Sequence, residues 1–173
     1  MENPFNLPEE KLRELLNAYK VWLTNAQNEA RYPQEFREKA EEIRKDFLDE
    51  DVLKSTSDDE FYEKIYEYSR SLEGPVHMRL GEERITNSLE SLRKNLKYII
   101  LTEDNPFNIA QNIFEGEHKI DVFAKAFWSP ILNAKFPDKL PNWNNKTEKF
   151  MKKLGVNITT SRLTISQKYE LLS

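Results

Sequence analysis

Residues 57–72, SDDEFYEKIYEYSRSL, carry the clearest local signal for the fold. Ser57 precedes Glu60 by three positions, the spacing of a capping box, in which two side chains satisfy free backbone N–H groups at a helix N-terminus. Apolar residues then recur at positions i, i+4, i+7 and i+11, on one helix face: Phe61, Ile65, Tyr68 and Leu72. The stretch therefore predicts an amphipathic helix, which Gly74 and Pro75 end.

Similar start signals repeat along the chain, several with proline at the first helical position. We expect helices to begin near Pro8, Pro33, Ser57, Glu82, Asn105, Val122, Asn145 and Thr164. The helix from about 82 to 101 is expected to be long, and Pro130 should kink or split the apolar segment 122–136. Because strand-like alternation is scarce, the sequence predicts an all-α fold, a single compact multi-helix domain of seven or eight helices over residues 1–173.

Length and composition narrow the classes of protein to consider. The 173 residues suit one domain, and the absence of cysteine excludes disulfides and thiolate chemistry. No apolar run reaches the roughly 18 residues of a membrane span, and the N-terminus lacks a signal-peptide pattern. We therefore expect a cytoplasmic protein with no membrane partner. The short last predicted helix fits a natural chain end and a fragment cut from a longer protein equally well, and the resemblance described below implies the N-terminal fragment of a longer protein.

Charge is distributed unevenly between the two ends of the chain. The formal net charge is −4, which taken whole argues against a nucleic-acid binder. Residues 1–118, the acidic part, hold 16 basic and 26 acidic residues, whereas residues 119–173, the basic part, hold 10 and 4. The net charges are therefore −10 and +6, and the average no longer counts against a nucleic-acid partner.

The lysines of the basic part suggest a DNA-binding surface. Lys146, Lys149 and Lys153 lie at i, i+3 and i+7 of one predicted helix and share a face suited to phosphates, with a tryptophan and amides nearby for base or backbone contact. The predicted DNA-binding residues are Lys125, Lys139, Trp143, Asn144, Asn145, Lys146, Lys149, Lys152 and Lys153. Two alternatives stay open: an ordinary solvated face balancing acids of the same domain, and Trp143 as a packing plug beneath the helix.

Motifs of catalysis and metal binding are missing from the sequence. His77 and His118 lack metal-ligand spacing, and both are expected to be solvent-exposed loop residues. Neither a phosphate-binding loop, nor Gly-x-Gly-x-x-Gly, nor a Gly-x-Ser-x-Gly nucleophile motif occurs. The sequence therefore predicts no catalytic residue, no metal and no cofactor in this chain.

One stretch resembles a known family. Residues 113–132 (IFEGEHKIDVFAKAFWSPIL), 136–147 (FPDKLPNWNNKT) and 153–155 (KLG) resemble a helical region upstream of the motor in McrB-like AAA+ proteins of modification-dependent restriction systems. The resemblance covers about 45 residues. It implies a non-catalytic DNA-recognition domain, for DNA that can be modified, whose partners would be a downstream AAA+ motor and a nuclease subunit.

Two other functions remain as alternatives. A protein-interaction or oligomerisation module of such a system would use the acidic part, with the lysines of the basic part pairing with acids on a neighbouring subunit. A stand-alone enzyme acting on nucleic acid would need two or more acids close together in a basic cleft, which nothing in the sequence predicts.

Overall fold

The computed structural model describes residues 34–72, 81–153 and 163–170, with single positions 10, 13, 14, 17 and 21. Regular structure in residues 34–170 of this part is helical, with no strand, so the all-α prediction is confirmed. The helices there are α1 Gln34–Phe47, α2 Glu50–Ser55, α3 Asp58–Ser71, α4 Glu82–Thr86, α5 Leu89–Leu101, α6 Pro106–Phe114, α7 Lys125–Lys135, α8 Asn145–Lys153 and α9 Ile165–Glu170. Their number, nine in the described ranges, is close to the predicted seven or eight.

The predicted capping residues begin the helices. At α3, Glu60 N donates to Ser57 Oγ over 3.3 Å and Ser57 N donates to the Glu60 carboxylate over 3.1 Å, so the capping box is present. At α9, Gln167 N donates to Thr164 Oγ1 over 3.2 Å, and Thr164 N donates to Gln167 Oε1 over 2.9 Å. Each pair satisfies N–H groups that the helix itself leaves free.

The α6 segment also follows its sequence signals. Asn105 Oδ1 accepts from Phe107 N over 2.9 Å, and Pro106 occupies the first turn. Gly116 follows the helix as predicted, where a Cβ would lie 2.8 Å from the Cα of Asn112. Because contacts this short do not occur, only glycine lets the chain leave α6 in this way.

Three local predictions need correction. The expected helix 82–101 is two helices, because the chain tightens at Asn87 and Ser88, where Ser88 N donates to Ile85 O; both residues are weak helix formers. Helix α2, capped by Asp49, was not predicted. Helix α7 is not split at Pro130, and Ser129 and Ile131 beside it are fully buried, so core packing holds the segment helical.

A shared hydrophobic core joins the acidic and basic parts. Its buried residues run from Ala40 in α1 to Tyr169 in α9. Tyr68 on α3 packs edge-on against the rings of Phe47 and Phe127, at centroid distances of 5.5 and 5.2 Å, and its hydroxyl donates to Phe127 O over 3.1 Å. In the described part of the chain, no helix has the length and apolar character needed to cross a membrane.

Candidate nucleic-acid interface

Asn144 is the residue that caps the lysine-rich helix α8. Its Oδ1 accepts from Thr147 N over 3.1 Å, and Glu148 N donates to Asn144 O over 3.0 Å. Thr147 Oγ1 in turn donates to Asn142 O over 3.0 Å. The cap lies one residue before the predicted Asn145, because adjacent asparagines give the same sequence signal. Its side-chain oxygen therefore caps the helix, and the contact of Asn144 with DNA stays a prediction.

Trp143 belongs to the core beneath α8. It is 1% exposed, and its ring packs against Tyr169 (5.1 Å between centroids) and Phe114 (6.2 Å). Its backbone N donates to Ser129 Oγ over 2.6 Å. A ring buried on these sides cannot stack on a base without leaving the core. The prediction of a base contact by Trp143 is therefore wrong, and the packing alternative describes its position.

Lys125 pairs with an acid of the same fold. Its ammonium forms an ion pair with Glu148 and lies 4.8 Å from the centre of the Trp143 ring, at cation–π distance. The side chain is 35% exposed. Because its charge is compensated by Glu148 and held over Trp143, Lys125 fastens α7 to α8. The prediction that it stands beside the phosphate contacts is corrected accordingly.

Glu148 is the sole acid in α8, and it points inward. Its side chain is 16% exposed, and Oε1 accepts from Trp143 Nε1 over 2.9 Å in addition to the Lys125 ion pair. Lys149 and Lys152 are exposed and form no ion pair with the described part of the chain. We call the exposed side of α8 that carries Lys149 and Lys152 the lysine face. It is positive because the one acid of the helix is turned away.

The remaining predicted residues divide into two groups. The side chains of Asn145, Lys146 and Lys153 lie outside the described residues, although α8 includes all three positions. Lys139 is exposed in the turn after α7, where its backbone N donates to Phe136 O over 3.1 Å. The structure thus brings Lys125 and Trp143 together beneath α8, and it leaves the side chains of Lys149 and Lys152 exposed on the same helix.

Other lysines of the basic part have local partners. Lys119 pairs with Asp121 over 2.7 Å, and this hydrogen bond raises the pKa of the lysine. Lys135 Nζ donates to Ile100 O over 3.3 Å. Lys168 on α9 is partly buried and has no ion pair within the described residues. These engagements leave α8 as the densest group of uncompensated lysines in the described basic part.

A cavity of about 410 Å³ lies beside α8, between α9 and the segment that joins α6 to α7. Its charged lining is balanced, with three lysines and three acids: Lys119, Lys125, Lys168, Glu115, Asp121 and Glu148. Two acids pair with lysines, and Glu115 accepts from Gln111 Nε2 over 2.9 Å. Although three acids meet here, each already has a partner, and the described residues contain no cluster suited to a metal ion.

His118 is buried, contrary to the expectation of an exposed loop residue. Its Nδ1 lies 2.9 Å from Asn95 Oδ1, and Asn95 Nδ2 donates to His118 O over 2.5 Å. The ring stacks on Tyr98 at 3.9 Å. Burial lowers the pKa of the imidazole, and the nearby charge of Glu117 raises it by less. His77 lies outside the described residues.

Sequence reasoning missed Glu148 as the organising residue of this surface. The available signal was its isolation: it is a lone acid in the first turn of a helix with four lysines, where a carboxylate also suits the positive helix end.

Comparison with protein-family models, with curated proteins and with solved structures finds no match. The resemblance to McrB-like proteins therefore stays a prediction.

Proposed function

We propose that this chain is a non-catalytic DNA-binding module that contacts phosphates through the lysine face. The observation that carries the proposal is that Glu148 pairs with Lys125, whereas Lys149 and Lys152 are exposed on α8 and form no ion pair with a described residue. Lysine ammonium groups placed in this way replace the counterions condensed on DNA, and the release of those ions favours binding.

The separation of charge along the chain supports the same surface. The acidic part carries a net charge of −10, and it would be repelled by a polyanion, whereas the basic part carries +6. An electrostatic field of this kind orients the protein as it approaches DNA. It also adds attraction once the protein and the DNA are in contact. DNA would therefore be attracted to the basic part and repelled by the acidic part.

Fluorescence anisotropy of a labelled duplex, titrated at several salt concentrations, tests the proposal. Replacing Lys149→Gln and Lys152→Gln together should lower the magnitude of the slope of log K against log salt by about two, since each lost phosphate contact removes about 0.9. The matched control is Lys94→Gln with Lys97→Gln, an exposed pair at the same spacing on α5 in the acidic part. An unchanged slope in the α8 variant would falsify the proposal.

The restriction context belongs to the same proposal. The motor and nuclease that the resemblance implies would be the chain's partners, the motor downstream in the same polypeptide and the nuclease as a separate subunit. The test is to read the residues encoded after Ser173: a Gly-x-x-x-x-Gly-Lys-Ser/Thr phosphate-binding loop is the expected result. A stop codon directly after Ser173 would remove the motor from the proposal, and the proposal of DNA binding would stand.

An acidic groove favours the second candidate function, a protein-interaction or oligomerisation module. A cavity of about 620 Å³ between α1, α3 and α4 is lined by seven acids and two lysines. The acids are Glu42, Asp46, Asp59, Glu60, Glu63, Glu67 and Glu82. Light scattering combined with a DNA gel shift separates the two functions: a stable oligomer with no shift at low salt would favour this one.

A further inference from the structure

We infer that the lysine face holds duplex DNA by its phosphates and reads neither the sequence nor the modification of the bases. This inference rests on the proposed function and specifies its ligand. It follows from where the structure places the residues that could have read bases, and from the kind of charge that remains exposed.

Among the described residues near α8, the tryptophan and the amides that could read bases are engaged within the fold. Trp143 is buried, and the side-chain oxygen of Asn144 caps α8. Asn142 is exposed, but its Oδ1 accepts from Ser129 Oγ over 2.6 Å. Asparagine recognises adenine by using its oxygen and its nitrogen together. The bonds to their oxygens orient both amides toward partners within the fold, which disfavours that paired contact.

The exposed cations of α8 are lysines, which act as point charges. Arginine recognises guanine by a planar, bidentate hydrogen-bond contact, and α8 contains no arginine. Lys149 and Lys152 lie three positions apart on one side of the helix, close enough to follow neighbouring phosphates. Contacts of this kind position a protein on DNA without carrying sequence information.

The same surface favours duplex over single-stranded DNA. Proteins that bind single strands stack bases on exposed aromatic rings. The large apolar side chains that are exposed in the described residues are Val21, Tyr66 and Leu101, all in the acidic part. The described basic part therefore offers charge but no stacking platform, and the higher charge density of a duplex gives the larger gain from counterion release.

The test compares the affinities of the full chain for four labelled DNAs of equal length at low salt. They are two duplexes of unrelated sequence, one duplex with methylated cytosines, and one single strand. We expect the three duplexes to agree within about threefold, because each specific base contact would alter the affinity by about fivefold or more. The single strand should bind more weakly and with a shallower salt slope.

The outcomes distinguish a failure of this inference from a failure of the proposed function. Discrimination among duplexes by about tenfold or more, or tighter binding of the single strand, overturns this inference and leaves the proposed function standing. Folded protein that binds none of the four DNAs overturns the proposed function and the inference with it. Asn145→Ala checks the amide whose side chain is not described: it should change all duplex affinities by the same factor, and a sequence-dependent change contradicts the inference.

Discussion

Glu148 has a different role from the lysines that surround it in the sequence. One oxygen of its carboxylate accepts from Trp143 Nε1 and pairs with the Lys125 ammonium, so residues from α7, α8 and the loop between them meet at one atom. Because the group is mostly shielded from water, its partners matter more than those of an exposed ion pair. A single inward acid thus supports the core and leaves the outer side of α8 positive.

Replacing Glu148→Gln should lower the free energy of unfolding by about 1–2 kcal/mol, measured by urea denaturation. The amide oxygen can still accept from Trp143 Nε1, but the partly buried Lys125 ammonium loses its counter-charge.

The control is Glu50→Gln, which breaks the more exposed Lys54–Glu50 pair on α2. That change should lower the free energy of unfolding by clearly less than Glu148→Gln does, because water screens the exposed pair. Equal losses in the two variants would show that the Glu148 carboxylate is no more important than a surface acid.

At this scale, sequence reasoning predicted surface charge better than side-chain partners. Helical spacing places Lys149 on a face shared with Lys146 and Lys153, and Lys149, the one of the three whose side chain is described, is exposed. The roles of Trp143 and Lys125 depend on residues brought close by the tertiary fold, and no local pattern encodes those contacts. An indole beside two asparagines looks the same in a sequence whether it faces solvent or the core.

At the scale of helices, the residue at which a helix begins was more predictable than the place where a helix is interrupted. The caps at Ser57, Asn105 and Thr164 form within a few residues, so their signals are local. The break between α4 and α5 falls at two weak helix formers, Asn87 and Ser88, a signal too weak to decide the boundary alone, and the continuity of α7 through Pro130 depends on core packing. Local propensity is a weak guide wherever tertiary packing competes with it.

The segment joining α6 to α7 is fastened to α5 through His118. Asn95 on α5 bonds both the ring and the backbone carbonyl of His118, and Tyr98 stacks on the ring. Since Asn95 Nδ2 donates to the carbonyl, its Oδ1 faces the ring, and His118 Nδ1 must carry the proton. Protonation would then add a charge at Nε2 on a buried ring, toward Glu117.

This arrangement predicts that stability falls as the pH drops below about 6.5, the ordinary pKa of histidine. Burial lowers the pKa of native His118, so over this range the unfolded chain binds more protons than the native chain. The loss should continue until the pH reaches the native pKa, and then level off for this group. Thermal unfolding across this pH range measures the effect.

His118→Gln should remove this part of the pH dependence, whereas His77→Gln should keep it. Losses from carboxylates occur at lower pH: the hydrogen bonds from Ser57 lower the pKa of Glu60, so its contribution disappears only under more acidic conditions. A wild-type curve that stays flat below 6.5 would contradict the role assigned to His118.

For the molecule as a whole, an acidic groove and a lysine-bearing helix share one core. The acidic groove lies on α1, α3 and α4, and the lysine face lies on α8. Both are built on helices that contribute to the same hydrophobic cluster. A rigid connection of this kind fixes the direction of the electrostatic field relative to the fold, which a flexible basic tail could not do.

Tyr68 links the two parts most directly, because its hydroxyl and ring both contact Phe127. If the shared core makes unfolding cooperative, the transitions of a Trp22→Phe background followed by tryptophan fluorescence and by far-ultraviolet circular dichroism should coincide. The remaining tryptophans, Trp128 and Trp143, report on the basic part, and helicity reports on both parts. Tyr68→Phe should shift both curves equally, by about 0.5–1.5 kcal/mol, because it removes one hydrogen bond and keeps the ring.

Tyr62→Phe, on the same helix but partly exposed, is the matched control and should shift neither curve measurably. Curves that separate would mean that the two parts unfold independently and that the contacts between α3 and α7 do not couple them.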